Sequence, residues 1–257
     1  MRPATIIILA LLVFFSLFAS QKLFTDKFYT SHDGGGHVIR MVEFDEVIRE
    51  GQIPVRIAKR INYGMGYPFF NFNYPLIYYL GEAFHWMGLS FVDSFKALMI
   101  LSAIIGSIGM YILVLPYFGM LSALISAIFF TIAPYKFLNM YVRGNVAESF
   151  GLALIPFTLW TVDNFVRGGK YKYQLFILTF SALILSHNIT ALIGIFLCII
   201  FFLFQIRNLK AKGKLIKQIV FSFIISLALT AFFWIPVIVE SRLTKLVELT
   251  EDRKSVV

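Results

Sequence analysis

Polar side chains that could carry chemistry occur in three short segments far apart in the chain. The first is Ser31-His32-Asp33-Gly34-Gly35-Gly36-His37, the second runs from Pro134 to Glu148, and the third is Ser186-His187-Asn188. A carboxylate such as Asp33 could act as a general base toward a hydroxyl group. Arg143 and Lys136 could form a shared positive site, in which the guanidinium binds phosphate through two parallel hydrogen bonds. We therefore predict a site that combines a base with a phosphate-binding group.

Each of these residues also has a simpler structural interpretation. Asp33 would suit the N-cap of a following helix, and Glu148 the positive end of another. Lys and Arg often extend from span ends to the membrane surface. Asp33 and His37 would permit only a weak divalent-cation site, so no metal or cofactor is predicted. The predicted catalytic residues are Asp33 and Glu148, and the predicted substrate-binding residues are His32, His37, Lys136, Arg143, His187 and Asn188.

The composition of the chain is that of a membrane protein. Its 257 residues are 59% hydrophobic and 17% aromatic, with 14% charged residues, whereas a soluble domain holds about 25% charged residues. The net charge of +9 fits basic residues gathered in cytoplasmic loops, so no nucleic-acid partner is predicted. The single cysteine, Cys198, excludes disulfides within the chain and Cys-based metal sites.

Charge-free apolar segments predict an all-α, polytopic bundle of about seven transmembrane helices. A span needs about 20 apolar residues. A cleaved signal peptide is an alternative for the first segment. The seven segments are Ala4 to Ser20, Ala97 to Leu115, Phe118 to Ala133, Phe150 to Val166, Gln174 to Ser186, Ile189 to Gln205, and Ile219 to Val239.

The distribution of basic residues predicts the topology. The loops 167–172 and 207–217 are basic and lack acidic residues, so both are expected in the cytoplasm with the N-terminus. This requires Pro75 to Phe91, which contains Glu82 and His85, to be an interfacial helix and not a span. Residues 21–96 then form a long external loop, and all three polar segments face outward. Residues 1–239 form the membrane domain, and residues 240–257 are expected to open an external segment of a longer protein.

The chain resembles a family of bacterial and archaeal multi-span proteins. The resemblance rests on His32-Asp33-Gly34, on the segment from Gly64 to Phe72 with Tyr74-Pro75-Leu76, on Arg143-Gly144-Asn145-Val146-Ala147-Glu148, and on Ser186-His187-Asn188. These proteins are labelled 6-pyruvoyl-tetrahydropterin synthase-related membrane proteins. They are similar to the GT-C superfamily of membrane glycosyltransferases, which carry an acidic residue and interfacial helices in the first external loop.

The resemblance implies a cell-membrane enzyme that transfers a sugar from a polyprenyl-phosphate donor to an acceptor on the external side. The acceptor would be a sugar, a lipid or a protein, and membrane lipid surrounds the helices. Asp33 corresponds to the acid of the first loop, and Arg143 and Glu148 to plausible donor-phosphate and supporting positions. A transporter or flippase and an inactive membrane scaffold are the alternatives. Transporters usually carry ionisable groups near the membrane midplane, and the predicted spans here hold almost none.

Overall fold

The computed structural model describes residues 3–207, 209 and 212–241, and this part of the chain is almost entirely helical. A single antiparallel bridge joins Ala58 and Tyr67. A 3-10 turn, Gln21–Leu23, follows the first helix, and a π-helical turn, Leu138–Arg143, precedes the seventh. The helices are α1 (Pro3–Ala19), α2 (Gly34–Arg49), α3 (Phe69–Phe72), α4 (Leu76–Trp86), α5 (Phe91–Thr131), α6 (Pro134–Phe137), α7 (Val146–Val166), α8 (Lys172–Ser186), α9 (Asn188–Ile206), α10 (Lys212–Leu229) and α11 (Ala231–Glu240).

Helix α5 is a hairpin of two antiparallel arms. The chain turns at Gly119, whose φ of 77° and ψ of 179° are non-helical, three residues after Pro116. The reversal brings Phe130 so close to Gly106 that a Cβ added at Gly106 would lie 2.8 Å from Phe130 Cε1. A straight helix would separate those two residues by about 36 Å. The two arms correspond to the predicted segments Ala97 to Leu115 and Phe118 to Ala133.

Helix α7 lies at the centre of the bundle and packs against α5, α8 and α9. Glycines allow close approach at these contacts. A Cβ added at Gly109 of α5 would lie 2.6 Å from the Phe157 ring of α7. A Cβ added at Gly151 of α7 would lie 2.1 Å from the Thr190 hydroxyl of α9. Since the side chains of these helices are apolar, packing depends on how closely the backbones approach.

The prediction of a helical membrane protein is confirmed, whereas the count of seven spans stays a prediction. Among the described residues, three helical segments are long and apolar enough to cross a membrane: Phe91–Arg143, which contains the α5 hairpin, Val146–Val166 and Asn188–Ile206. Helices α10 and α11 would add a fourth if the pair, which bends by 69°, forms one span. Ala4–Ala19 and Lys172–Ser186 are apolar but shorter.

The predicted external loop folds against one end of the bundle. It contains α2, α3 and α4, whose side chains form an aromatic core with Phe44, Phe70, Tyr78 and Phe95. Helix α4 has 11 residues and is therefore about 16 Å long, too short to span a membrane, as predicted. Asn71 of α3 donates a hydrogen bond of 2.5 Å to Glu240, at the end of α11. Residues 242–257, most of the predicted external tail, lie outside the described residues.

A buried carboxylate joins the helix ends at the opposite end of the bundle. Asp163 of α7 accepts hydrogen bonds from Tyr117 at 2.5 Å and from Gln205 at 2.6 Å. Arg167 pairs with the same carboxylate at 2.8 Å. These residues come from the α5 turn, the end of α7 and the end of α9. The three polar segments singled out from the sequence therefore meet at the other end, where α7 and α9 begin.

Candidate functional site

Backbone hydrogen bonds join the Asp33 segment to the Arg143 segment. The His32 N–H donates to the carbonyl of Val142 at 3.0 Å, and the Asp33 N–H donates to the carbonyl of Arg143 at 2.7 Å. Asp33 occupies the N-cap position of α2, but its carboxylate accepts no capping hydrogen bond. The expected alternative, in which Asp33 serves only as a helix cap, is therefore not the arrangement in the structure. Its carboxylate is left available for other partners.

The segment Arg143-Gly144-Asn145 takes its shape from two local features. Gly144 has a φ of 66°, in the left-handed region that glycine adopts without strain. A Cβ at Gly144 would lie 2.5 Å from the Ser31 hydroxyl and 2.9 Å from the Gly34 nitrogen, so only glycine allows the two segments to pack. Asn145 then caps α7 by accepting a hydrogen bond of 3.0 Å from the Glu148 N–H. This cap fixes Glu148 in the first turn of α7.

Arg143, Tyr135 and Glu148 form a closed polar network. Arg143 Nη1 lies 2.5 Å from Glu148 Oε2 and donates to the Tyr135 hydroxyl at 2.8 Å. The Tyr135 hydroxyl in turn donates to Glu148 Oε1. Glu148 is buried, and Arg143 is one-third exposed. Since both carboxylate oxygens of Glu148 are occupied, its first role in the structure is to position Arg143 and Tyr135.

His187 reaches the same region from the turn between α8 and α9. Its Nδ1 lies 3.1 Å from the Thr190 hydroxyl, and the Thr190 N–H donates to it, so the ring caps α9. The opposite face of the ring contacts Tyr74, with centroids 5.0 Å apart. Burial lowers the pKa of His187, Arg143 lowers it further and Glu148 opposes both. The imidazole is therefore expected to be neutral near pH 7.

Tyr74 contacts His187 and is influenced electrostatically by charged groups of the other two polar segments. Four charged groups act on it electrostatically: Arg40 and Arg143 lower the pKa of Tyr74, and Asp33 and Glu148 raise it. Burial is the largest cause and raises that pKa overall, so the hydroxyl stays protonated. The structure thus brings Asp33, Arg143, Glu148 and His187 around one tyrosine. This juxtaposition was predicted from the three segments, whereas the catalytic and binding roles stay predictions.

His37 lies beneath this cluster. Its ring is only 1% exposed, and its Nδ1 lies 3.3 Å from the Tyr78 hydroxyl. Burial, with smaller contributions from Arg40 and His187, lowers the pKa of His37 to about 3. His37 is therefore neutral and supports the wall of the site, a placement that favours an indirect role over direct contact with substrate.

The other predicted binding residues lie at the margin or apart. His32 and Asn188 are exposed at the edges of the first and third segments. The Lys136 ammonium does not join Arg143; it lies 4.6 Å from the centroid of Phe130, beside Gly106 in the α5 hairpin. Its role in substrate binding stays a prediction. Within the described residues, no three His, Cys, Asp or Glu side chains are grouped as a metal site would require.

Three residues of the cluster were not predicted as site residues from the sequence: Arg40, Tyr74 and Tyr135. For Arg40 a signal exists, because Asp33, His37 and Arg40 follow the 4 and 3 residue spacing of one helix face. Tyr74 was one aromatic residue among many, and no local pattern distinguishes it. Tyr135 meets Glu148 only because the π-helical turn Leu138–Arg143 lies between them.

An apolar groove of about 480 Å³ opens beside the site. It lies between the end of α1 and the π-helical turn, with Gln21 and Lys22 among its lining residues. Val142 lines it too, and the Val142 carbonyl accepts the hydrogen bond from His32. The groove is therefore continuous with the backbone that holds the first and second polar segments together. The remaining lining residues are Phe18, Ala19, Ile132, Phe137, Leu138 and Tyr141.

Residues 70–248 match the family described as "6-pyruvoyl-tetrahydropterin synthase related domain; membrane protein". The chain belongs to this membrane-protein family. A relative in Lactococcus lactis subsp. cremoris (strain MG1363), described as an uncharacterized protein, is 22% identical over 239 residues. The alignment covers 89% of this chain and 39% of that relative, so the chain spans well under half of the relative's length. No solved structure matches the chain.

Proposed function

We propose that the chain is part of a membrane glycosyltransferase of the GT-C type, which moves a sugar from a polyprenyl-phosphate donor to an acceptor hydroxyl. The observation that carries this proposal is the backbone pairing of Asp33 with Arg143, whose guanidinium in turn pairs with Glu148, next to the groove between α1 and the π-helical turn. An apolar groove suits a lipid chain. A cationic site at its edge suits the phosphate to which that chain is attached.

In the proposed reaction Asp33 is the general base. Its carboxylate takes the proton of the acceptor hydroxyl as the acceptor oxygen attacks the anomeric carbon of the sugar. The bond between that carbon and the phosphate oxygen breaks, and the electron pair leaves with the polyprenyl phosphate. Positive charge near the departing oxygen stabilises the transition state. Glu148 contributes by holding Arg143 and Tyr135 in place, which makes it a positioning residue.

Glycosyl transfer by the full-length protein in liposomes tests the proposal. Donors are polyprenyl phosphates carrying radiolabelled hexoses, and appearance of label on an acceptor is measured. We expect Asp33→Asn to lower the rate by about 10²- to 10⁴-fold, the usual contribution of a general base. Asp26→Asn, which changes an exposed carboxylate of the same loop, is the matched control and should keep the wild-type rate.

Two results would contradict the proposal. Full activity of Asp33→Asn would remove Asp33 as the base. Entry of free labelled sugar or lipid-linked sugar into the liposome lumen without transfer would instead favour the transporter or flippase class. Glu148→Gln provides a further check, because an amide keeps the shape of the side chain but loses the ion pair with Arg143. We expect it to lower transfer less than Asp33→Asn does.

A further inference from the structure

Arg40 of α2 differs from Arg49 and Arg143 because no carboxylate in the described part of the chain pairs with it. Arg49, on the same helix, pairs with Asp45 at 2.5 Å, and Arg143 pairs with Glu148 at 2.5 Å. In the described part of the chain, no Asp or Glu forms an ion pair with Arg40. A partly buried cation without a counter-ion is costly to maintain unless an anion is supplied.

The Arg40 side chain is held in a defined position despite this lack of an ion pair. Its guanidinium carbon lies 4.4 Å from the centroid of the Phe69 ring, a cation–π distance. The guanidinium also extends along α2 toward its N-terminus. The Cζ and Nη2 atoms of Arg40 would each lie 3.7 Å from a Cβ added at Gly36. The positive charge therefore lies near the start of α2, the end of the helix that carries Asp33.

Arg40 follows His37 by three residues on α2, and His37 Nδ1 lies 3.3 Å from the Tyr78 hydroxyl. Burial raises the pKa of Tyr74 and of Tyr78, and the Arg40 charge opposes that rise at both groups; Asp33 and Arg143 also act electrostatically on Tyr74. Arg40 and Arg143 therefore both contribute positive charge around Tyr74.

We propose that Arg40 is the phosphate-binding cation of the candidate site and that its ligand is the phosphate ester of a membrane lipid. The lipid chain would occupy the groove between α1 and the π-helical turn. Arg143, already held by Glu148 and Tyr135, positions the loop and has less charge to offer. The identity of the lipid as a glycosyl donor rests on the proposed function, whereas phosphate binding by Arg40 does not.

Equilibrium binding to the purified full chain tests this assignment. The probes are farnesyl phosphate, uncharged farnesol and inorganic phosphate, measured by microscale thermophoresis in detergent. We expect the wild-type protein to bind farnesyl phosphate more tightly than either other probe. Arg40→Gln should weaken farnesyl phosphate binding about tenfold or more, because charge-assisted hydrogen bonds are lost, and leave farnesol binding unchanged.

Controls separate this effect from general loss of charge. Arg49→Gln removes another cation from α2. The Arg49 side chain is 61% exposed and is already paired with Asp45, so this variant should leave farnesyl phosphate binding unchanged. Thermal unfolding checks that each variant is folded. If Arg40→Gln does not fold, Arg40→Lys replaces it, since lysine keeps the charge but loses the two-pronged geometry; a severalfold loss is then expected.

Wild-type affinity of a folded Arg40 variant for farnesyl phosphate would overturn the assignment. Equal, Arg40-dependent binding of inorganic phosphate and farnesyl phosphate would overturn the lipid part of it. These outcomes are independent of sugar transfer. Normal sugar transfer by an Arg40 variant would support the proposed function but contradict phosphate binding by Arg40. Arg40-dependent binding of farnesyl phosphate by a protein that transfers no sugar would support phosphate binding but contradict the proposed function.

Discussion

At the scale of single residues, the candidate site depends on Gly144. Its left-handed φ, and the short distances that a Cβ would have to Ser31 and Gly34, leave no room for a side chain. This glycine allows the backbone of Asp33 to pair with that of Arg143. The first and second polar segments are thus joined through main-chain atoms, and their side chains are presented from a common base.

Gly144→Ala is expected to destabilise the protein and to separate those two segments. Left-handed backbone and a steric clash together cost about 1–3 kcal/mol. Thermal unfolding in detergent measures the loss. Gly35→Ala is the matched control, because a Cβ there meets nothing within 4 Å and alanine favours helix. A Gly144→Ala protein as stable as the Gly35→Ala protein would show that the two segments do not pack as described.

His37 predicts how stability responds to acid. Its pKa is lowered to about 3 in the folded protein, against about 6.5 in an unfolded chain. Between those values the unfolded chain binds a proton that the folded protein does not, so the free energy of unfolding falls as the pH drops from about 6.5 toward 3. His37→Gln, which can still hydrogen-bond Tyr78, should reduce that fall.

The measurement is the unfolding midpoint as a function of pH for the wild-type protein and the variant. Identical pH curves for the wild-type protein and His37→Gln would mean that His37 is not buried in neutral form.

At the scale of helices, the sequence predicted the positions of the helices along the chain better than it predicted the contacts between them. The Pro116-Tyr117 break between two predicted segments lies next to the observed turn at Gly119, because both proline and a positive φ interrupt helices and leave local traces. The contact between Tyr74 and His187 leaves no such trace. It joins residues more than a hundred positions apart, and only the packing of α4 and α9 around α7 brings them together.

Lys136 illustrates the same limit. Its distance along the chain from Arg143 suggested a shared positive site, but the π-helical turn between them changes the register in which side chains leave the helix. In a π-helical turn the hydrogen bonds join residues five apart, one more than in an α-helix. The spacing of hydrophobic residues in the sequence does not reveal this difference. By contrast, the start of α7 was accessible from the sequence, since an asparagine followed three residues later by a glutamate is typical of a helix N-terminus.

The polar cluster around Asp163 makes a prediction about how helix ends are held together. Asp163 is buried and bonds to Tyr117, Arg167 and Gln205. Asp163→Asn removes the negative charge and at least one acceptor, leaving donors unsatisfied, so stability should fall by about 1–3 kcal/mol. Thermal unfolding measures it, with Asp26→Asn as the control. An unchanged midpoint would mean that packing alone holds these ends.

At the scale of the whole molecule, the two ends of the bundle differ in chemistry. One end carries α2, α3, α4 and the Asp33, Arg143 and His187 cluster, and the other carries Asp163 and the basic loop 167–172. The fold therefore brings the three polar segments to one end, as the sequence predicted. Which end faces the cell exterior is a separate matter, and it rests on the distribution of basic residues.

Cysteine labelling in intact cells tests that orientation. Cys198 is buried, so a Cys198→Ala background removes the native thiol. Tyr63, 99% exposed in the external loop, and Lys170, exposed in the basic loop, are each replaced by cysteine. A membrane-impermeant maleimide should label Tyr63→Cys in intact cells and Lys170→Cys only after permeabilisation, because the basic loop is retained in the cytoplasm. The reverse pattern would place the Tyr74 cluster at the cytoplasmic face, where donor and acceptor would have to be cytoplasmic, and would contradict the external transfer proposed here.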